Sequence, residues 1–226
     1  MVHFLRWDNQ QQVEWPLGKI VCVGRNYADH AAELNNPVPD QPLLFMKPAT
    51  AYSEVTSSVN IPVSKGCLHY ETELALLIGK PLSVDTNSNP IETIVGIGLA
   101  LDLTLRDLQA TLKQKGHPWE RAKAFDGSCP LTYFIRYNPA WSLGDVEFFC
   151  WIDEELRQHG VAKNMLFSAT ALLESIKTEF TLLPGDVVLT GTPAGVGELQ
   201  GKETIRLMLQ HKQNILLDQT FSTCAR

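Results

Sequence analysis

Long hydrophobic runs are missing from this 226-residue sequence, and none approaches the ~20 consecutive apolar residues that a membrane-spanning helix needs. The first residues, MVHFLRWDNQQQ, also lack the apolar core of a secretion signal and the Arg- and Ser-rich pattern of a transit peptide. We therefore expect a protein that is neither inserted in a membrane nor exported, with a cytoplasmic location as the default.

Paired cysteines and an excess of basic charge are missing too. The five cysteines are scattered and odd in number, with no CxxC pair, which is typical of reduced thiols rather than of disulfides or zinc ligands. The formal net charge is -6, so the chain lacks the basic surface that binding to nucleic-acid phosphates requires. The expected ligand is therefore a small molecule.

What the sequence does contain is a series of short apolar runs separated by single Pro and Gly residues. They predict strands at 19–24, 43–47, 73–79, 93–103, 146–153 and 186–191, and helices near 27–35, 104–116 and 167–180. Because strands and helices do not alternate regularly, an α+β fold with a mixed sheet is favoured over a doubly wound parallel sheet. No internal repeat is visible, and we expect one domain over 19–226, preceded by a short N-terminal segment, 1–18.

Two acidic residues, Glu71 and Glu73, stand at the start of the otherwise apolar run HYETELALLIG. In a strand, alternation places both side chains on one face, with Cα atoms ~6.6 Å apart. Burying two like charges raises their pKa and costs several kcal/mol unless a cation or hydrogen-bond donors lie between them. The alternative is a solvated edge strand that leaves both acids in water.

A third acid, Asp102, ends the apolar run IVGIGLALD just before a predicted helix. Taken alone, an Asp in this position is more typical of a helix N-cap than of a site. Together with Glu71 and Glu73 it makes a hard, all-oxygen ligand set suited to Mg²⁺ or Mn²⁺ and able to polarise a carbonyl or an enolate. The nearby His69 is expected to be a neighbour of this site and not a ligand.

Cationic and amide side chains follow Asp102 along the chain. Arg106 and Gln109 lie four and seven residues after it, so a helix that starts near Asp102 presents all three on one face. Arg106 is suited to bind a substrate carboxylate, or else to form a surface ion pair. Lys123, between small and apolar neighbours, is either a buried ammonium that offsets developing negative charge or an ordinary loop cation.

His30 and Glu33 lie three residues apart on the predicted helix NYADHAAELN, close enough for the carboxylate to orient the imidazole. An isolated pair of this kind is more typical of a helix surface than of a site. The loop TGTPAGVG at 190–197 follows a predicted strand and lacks the Lys-Ser/Thr ending of a phosphate-binding loop, so a nucleotide is not expected.

Six blocks in this order resemble the fumarylacetoacetate hydrolase family, and in particular its short single-domain branch of acylpyruvases and oxaloacetate decarboxylases. The blocks are KIVCVGRNYADH (19–30), LLFMKP (43–48), HYETELALLIGK (69–80), ALDLTLRDLQ (100–109), PWERAKAFDGSCP (118–130) and GDVVLTGTPAGVG (185–197). The resemblance implies an α+β fold of the mixed β-sandwich roll type with a few short helices, and a homodimer.

The same resemblance implies roles for individual residues. The divalent metal, Mg²⁺ or Mn²⁺, would be bound by Glu71, Glu73 and Asp102. The substrate would be contacted by Arg106, Gln109, Thr192 and Arg25. The catalytic residues would be a water-activating dyad on a lid helix and an enolate-stabilising lysine, namely His30, Glu33 and Lys123.

The activity that the resemblance implies is metal-dependent hydrolysis of the C–C bond of acylpyruvates, such as fumarylpyruvate or acetylpyruvate, with pyruvate enolate as the leaving group. Oxaloacetate decarboxylation or keto–enol tautomerisation is the alternative, since both pass through the same kind of enolate. A metal-stabilised binding module without turnover is disfavoured, because it has little use for clustered Arg106, Gln109 and Lys123.

Overall fold

Short strands make up most of the structure, a computed structural model that describes residues 2–34, 36–56, 58–62 and 65–225. In chain order the strands are β1 (Phe4–Arg6), β2 (Gln12–Pro16), β3 (Ile20–Gly24), β4 (Leu43–Lys47), β5 (Tyr52–Glu54), β6 (Ser58–Ile61), β7 (Leu68–Tyr70), β8 (Thr72–Ile78), β9 (Ile94–Leu101), β10 (Thr104–Leu105), β11 (Cys129–Leu131), β12 (Ile135–Arg136), β13 (Val146–Ile152), β14 (Glu155–Val161), β15 (Val187–Leu189), β16 (Gly197–Glu198), β17 (Thr204–His211) and β18 (Asn214–Ala225).

The helices are short. They are α1 (Ala28–Glu33), α2 (Arg106–Gln114), α3 (Glu120–Lys123) and α4 (Ala169–Glu179). Within the ranges given above, no helix is both long and apolar enough to cross a membrane. All five cysteines are free thiols.

Two larger sheets contain most of the strands. In the described residues the first has the order β4-β3-β15-β8-β9-β11-β5, with β12 also paired to β9, and the second has the order β14-β13-β17-β18-β6. Parallel pairs such as β3–β15 and β5–β11 occur beside antiparallel pairs such as β8–β9. This mixed pairing confirms the α+β fold predicted from the irregular order of strands and helices.

The predicted elements are present, with boundaries shifted by a few residues. The six predicted strands correspond to β3, β4, β8, β9, β13 and β15, and the three predicted helices to α1, α2 and α4. The last residue of the first predicted helix, Asn35, lies outside the described residues. The prediction lacks the long hairpin β17–β18, although Thr204–His211 alternates exposed and buried side chains as a half-buried strand should.

Strand β8 lies in the middle of the larger sheet and is buried on both faces. Its side chains Leu74, Leu76 and Ile78 join the main hydrophobic core, while Ala75 and Leu77 pack in a smaller core on the opposite face. A strand covered on both sides needs an almost continuous apolar run, which is why ELALLIG has no polar alternation. Glu73, at the start of this run, and Glu71, just before β8, are therefore held by a rigid, buried strand.

Residues 2–18 pack against the larger sheet. Strands β1 and β2 form a hairpin, and Leu5, Trp7 and Val13 of this region are buried in the same smaller core as Ile20 and Leu77. Residues 2–18 thus cover one face of the larger sheet.

Candidate active site

Three acidic side chains converge at one end of the β8–β9 pair. Because these strands are antiparallel, the start of β8 meets the end of β9, and the Asp102 N–H donates to the Glu71 carbonyl oxygen at 2.8 Å. Glu71 lies between β7 and β8, and Glu73 is in β8. The three residues are nearly fully buried, with exposed fractions of 5% for Glu71, 2% for Glu73 and 1% for Asp102. One carboxylate oxygen of each lies within 4.8 Å of the others. The solvated-edge interpretation of Glu71 and Glu73 is therefore wrong.

Asp102 does not begin a helix. Helix α2 begins at Arg106 with Leu105 as its N-cap, while Thr104 and Leu105 form β10 and pair with β7. The structure thus differs from the helical face predicted through Asp102, Arg106 and Gln109. The three residues still line one cleft, because β9 pairs with β8 and β10 pairs with β7, the two strands on either side of Glu71.

Arg106 points toward the acids. Its guanidinium forms an ion pair with the Glu71 carboxylate, and Nη1 donates to the Gln109 side-chain oxygen at 2.9 Å. Its Nε donates to His69 Nδ1 at 3.3 Å, so His69 contacts the site through Arg106. Among the described residues, the cluster of potential metal ligands consists of Glu71, Glu73 and Asp102, without His69.

Lys123, the last residue of α3, supplies a buried cation. Its Nζ donates to Glu71 Oε2 at 2.7 Å and to Asp102 Oδ2 at 2.6 Å. Burial by itself lowers the pKa of Lys123, but the Asp102 and Glu71 carboxylates outweigh it and hold the pKa above its ordinary value. The ammonium therefore stays charged at neutral pH.

Lys47 is a second buried cation, which the sequence analysis did not identify. Its ammonium is 0% exposed, forms an ion pair with Asp102 Oδ1 at 2.8 Å, and donates to the carbonyl oxygen and Oγ of Ser128, both at 3.1 Å. It also donates to the Lys123 carbonyl oxygen. The sequence signal that could have identified Lys47 is its position at the end of the apolar strand LLFMK, where alternation places it on the same face as Leu43 and Phe45. Ser128 thus supplies two of the oxygen atoms that fix the position of the Lys47 ammonium.

The carboxylates of the site have different electrostatic environments. Burial raises the pKa of Glu73 well above its ordinary value, and the nearby Asp102 carboxylate raises it further, against the Gly191 N–H that donates to it at 2.7 Å. Burial acts in the same direction on Glu71, but Lys123 and Arg106 reverse the effect and lower its pKa. Glu71 is therefore charged at neutral pH, whereas Glu73 needs a proton or a cation beside it.

The acidic cluster fits a hard divalent cation. Asp102 Oδ1 is buried without a hydrogen-bond partner, since its contact with Lys47 is an ion pair that lacks hydrogen-bond geometry. Three carboxylates within 4.8 Å of one another supply the oxygen ligands that Mg²⁺ and Mn²⁺ prefer. A cation at this point would give Asp102 Oδ1 a ligand contact beyond its ion pair with Lys47 and would offset the unfavourable charge on Glu73.

His30 and Glu33 form the predicted pair on α1. The distance from His30 Nδ1 to Glu33 Oε2 is 3.4 Å, and Glu33 also accepts the Gly195 N–H at 3.1 Å. Glu33 thus links the helix to the loop 190–197. Burial lowers the pKa of His30 below 6.5, against the opposing effect of the Glu71 and Glu33 carboxylates, so the imidazole is neutral at pH 7.

A cleft that is open to solvent joins these groups. Every predicted site residue except Glu33 lines it, including Arg25 and Thr192. Thr192 Oγ1 accepts a hydrogen bond from Gln158 Nε2 at 2.8 Å, and Gln158 Oε1 accepts the Thr72 N–H at 2.9 Å. Gln158 belongs to β14 in the second sheet and had no distinguishing signal in the sequence.

A buried acidic cluster flanked by fixed cations, at the base of an open cleft in an α+β fold, is typical of metal-dependent enzymes that act on small molecules. Comparison with known proteins is more specific, because residues 19–220 match the family model described as fumarylacetoacetate (FAA) hydrolase C-terminal. The chain belongs to the fumarylacetoacetate hydrolase family, which confirms the resemblance found in the sequence.

Known relatives are similar over most of their length. The chain is 45% identical over 196 residues to the oxaloacetate tautomerase YcgM of Escherichia coli K12, covering 85% of this chain and 89% of that protein. A fumarylacetoacetate isomerase/hydrolase candidate from Oleispira antarctica superposes with a TM-score of 0.94 at 46% identity, over 99% and 100% of the two chains. A fumarylpyruvate hydrolase from Pseudomonas aeruginosa, solved with Mn²⁺ and pyruvate, superposes with a TM-score of 0.86 at 31% identity, over 100% and 96%.

Proposed function

We propose that this protein is an oxaloacetate keto–enol tautomerase. The observation that carries the proposal is the presence, in one cleft, of a buried lysine, Lys123, that pairs with Glu71 and Asp102, and a buried histidine, His30, that pairs with Glu33. These are the two groups that an enolate intermediate requires, one to stabilise its charge and one to move its proton. The relative named oxaloacetate tautomerase supports this alternative over the acylpyruvate hydrolysis that was expected first.

Glu71, Glu73 and Asp102 would hold the divalent cation, Mg²⁺ or Mn²⁺. When bound, such a cation polarises the oxo group of a 2-oxo acid and lowers the energy of its enolate. Arg106, Gln109 and Thr192 surround this centre and would bind the oxo-acid end of the substrate, with the planar guanidinium on the carboxylate.

His30 would transfer the proton between C2 and C3 of the substrate. In the enol-to-keto direction the hydroxyl at C2 loses a proton and C3 gains one, so no oxidant or reductant is needed. Nδ1 of His30 faces Glu33, which leaves Nε2 to accept the hydroxyl proton and deliver it to C3. Glu33 stabilises the imidazolium that forms, and Lys123 stabilises the negative oxygen.

One assay panel tests the proposal. Purified protein with Mg²⁺ or Mn²⁺ is offered the enol form of oxaloacetate, keto oxaloacetate, acetylpyruvate and fumarylpyruvate, and enol loss, CO₂ release and pyruvate release are followed separately. We expect enol-to-keto conversion to have the highest kcat/KM. Faster pyruvate release from an acylpyruvate would replace the proposal with C–C hydrolysis, and faster CO₂ release would replace it with decarboxylation.

Acylpyruvate hydrolysis is a second candidate for one specific reason. The His30–Glu33 pair is hydrogen-bonded at the edge of an open cleft, an arrangement that can activate a water molecule as well as move a substrate proton. The fumarylpyruvate hydrolase from Pseudomonas aeruginosa shares the fold.

The homodimer implied by the family resemblance remains a prediction, which light scattering on the purified protein would test.

His30→Gln is expected to lower the tautomerase kcat by about 10²- to 10⁴-fold, the usual contribution of general acid–base catalysis. Binding of Mg²⁺, measured by calorimetry, should change little, because His30 is not among the clustered carboxylates. His117→Gln is a matched control, since that histidine is exposed and lies outside the cleft. Loss of metal binding together with activity would show that His30 supports the acidic cluster instead.

The pH profile of the tautomerase should show an acid limb with an apparent pKa below 6.5. Burial lowers the pKa of His30, and Arg106 adds to that effect, while Glu71 and Glu33 oppose it. The rate should therefore fall only when the pH drops through this lowered pKa and the imidazole takes up a proton. Rates at saturating Mg²⁺ give the profile. An identical acid limb in His30→Gln would assign it to another group.

A further inference from the structure

Helix α2 presents a further cation to the cleft. Arg106, Gln109 and Lys113 recur at helical spacing and line the same wall. A hollow continues outward from the cleft along Arg106, Gln109 and Lys113 past Leu34, so Lys113 lies where the cleft opens to solvent. Its ammonium sits over the Trp119 ring at 5.2 Å from the centroid, which restricts the position of a long side chain.

Lys113 and Arg25 have no carboxylate partner in the described part of the chain. The other cations of the cleft do: Arg106 pairs with Glu71, and Lys123 pairs with Glu71 and Asp102. Burial, then Arg25 and then Arg106, lower the pKa of Lys113, so these cations lie within interaction range of one another. Uncompensated positive charges gathered in a cleft attract an anion.

The backbone of Arg25 is held in an unusual conformation. Its φ is 59°, in the left-handed region that residues other than glycine seldom adopt. The next residue, Asn26, fixes the turn from inside the core by donating to the carbonyl oxygens of Phe167 and Thr190 at 3.0 and 2.8 Å. Strained backbone that the surrounding structure maintains is frequent at ligand sites.

We propose that Lys113 and Arg25 form a subsite for the second carboxylate of a dicarboxylate 2-oxo acid. The inference deepens the proposed function and rests on it for the position of the oxo-acid end at the acidic cluster. A substrate held there by Arg106 extends its far end along the cleft, whose walls carry Lys113 and Arg25 as the two cations without a carboxylate partner in the described residues. The subsite therefore selects diacids over 2-oxo acids with an uncharged tail.

The size of this selection follows from the type of contact. A hydrogen bond to a charged group contributes about ten- to hundredfold in affinity when one partner is removed. Lys113→Met keeps the length of the side chain and its contact with Trp119 but removes the charge. The variant should lose affinity for diacids by about tenfold or more and keep its affinity for monoacids.

Malate and lactate are the probes, because they differ only by the second carboxylate and neither can undergo keto–enol tautomerisation. Calorimetric titrations with saturating Mg²⁺ should show that the wild-type protein binds malate at least about tenfold more tightly than lactate. Lys113→Met should lose most of this preference and Lys113→Arg should keep it. Lys115→Met is the matched control, since Lys115 is the C-cap of the same helix, is exposed and lies outside the cleft.

Equal binding of malate and lactate by the wild-type protein would overturn the subsite, and so would an equal loss of both ligands in Lys113→Met. A malate preference that depends on Lys113, in a protein without tautomerase activity, would retain the subsite and remove the proposed reaction. The two proposals therefore fail separately.

Discussion

Asp102→Asn should reduce turnover by at least about 10³-fold and abolish measurable Mg²⁺ binding. The substitution preserves the shape of the side chain but removes the negative charge whose Oδ1 is buried without a hydrogen-bond partner. With one of three clustered carboxylates neutral, the remaining pair attracts a divalent cation much less strongly. Calorimetry measures the binding and the enol assay measures the turnover.

A surface acid nearby provides the control for this experiment. Asp107→Asn removes the same charge from the exposed first turn of α2, and it should leave Mg²⁺ affinity and kcat within about twofold, since surface substitutions seldom change energies by more than ~0.5 kcal/mol. Circular dichroism establishes that both variants are folded. Near-wild-type turnover of Asp102→Asn in Mg²⁺ would refute the metal assignment.

Lys47→Met should destabilise the metal-free protein by about 3–5 kcal/mol, the usual cost of breaking a buried ion pair by removing one partner. The ammonium is fully buried, so the variant leaves Asp102 with Lys123 as its remaining cation and removes a donor from Ser128 and from the Lys123 carbonyl oxygen. Urea denaturation without metal measures the loss.

Two comparisons separate the charge of Lys47 from its packing. Saturating Mg²⁺ should restore part of the stability, because a cation at the acidic cluster replaces the missing charge beside Asp102. Lys80→Met, at an exposed lysine that follows β8, should change the free energy of unfolding by less than ~0.5 kcal/mol. A loss under ~1 kcal/mol for Lys47→Met, or one that Mg²⁺ does not reduce, would contradict a charge-balancing role.

The sequence by itself was sufficient for the fold class and the family. Apolar runs such as 73–79 and 93–103 predict strands because burial on both faces requires an uninterrupted series of apolar residues, and β8 and β9 have that burial. The six ordered blocks identify the family, which the match over 19–220 confirms. Position in the chain also placed Glu71 and Glu73 together, since residues two apart on an extended chain are close in any fold.

The hairpin β17–β18 shows how a local signal can be overlooked. Thr204–His211 alternates exposed and buried residues, but β18 carries polar side chains at many positions and lies in a sheet with one solvated face. Such strands have few consecutive apolar residues, so a search for apolar runs does not find them. Alternation, counted over the same window, would have identified β17.

The tertiary structure alone decided which charges meet. Lys47 ends β4, Asp102 follows β9, Lys123 ends a short helix and Gln158 comes from the second sheet. No spacing in the chain relates these residues, although they meet in or beside the site. The helix expected to carry both Asp102 and Arg106 is absent at Asp102, and the short strand β10 stands between Asp102 and the start of α2. Periodicity encodes which face of an element is buried, because neighbours in the chain share that element. Ion pairs across elements depend on how the sheets pack, and the packing becomes visible only in the folded chain.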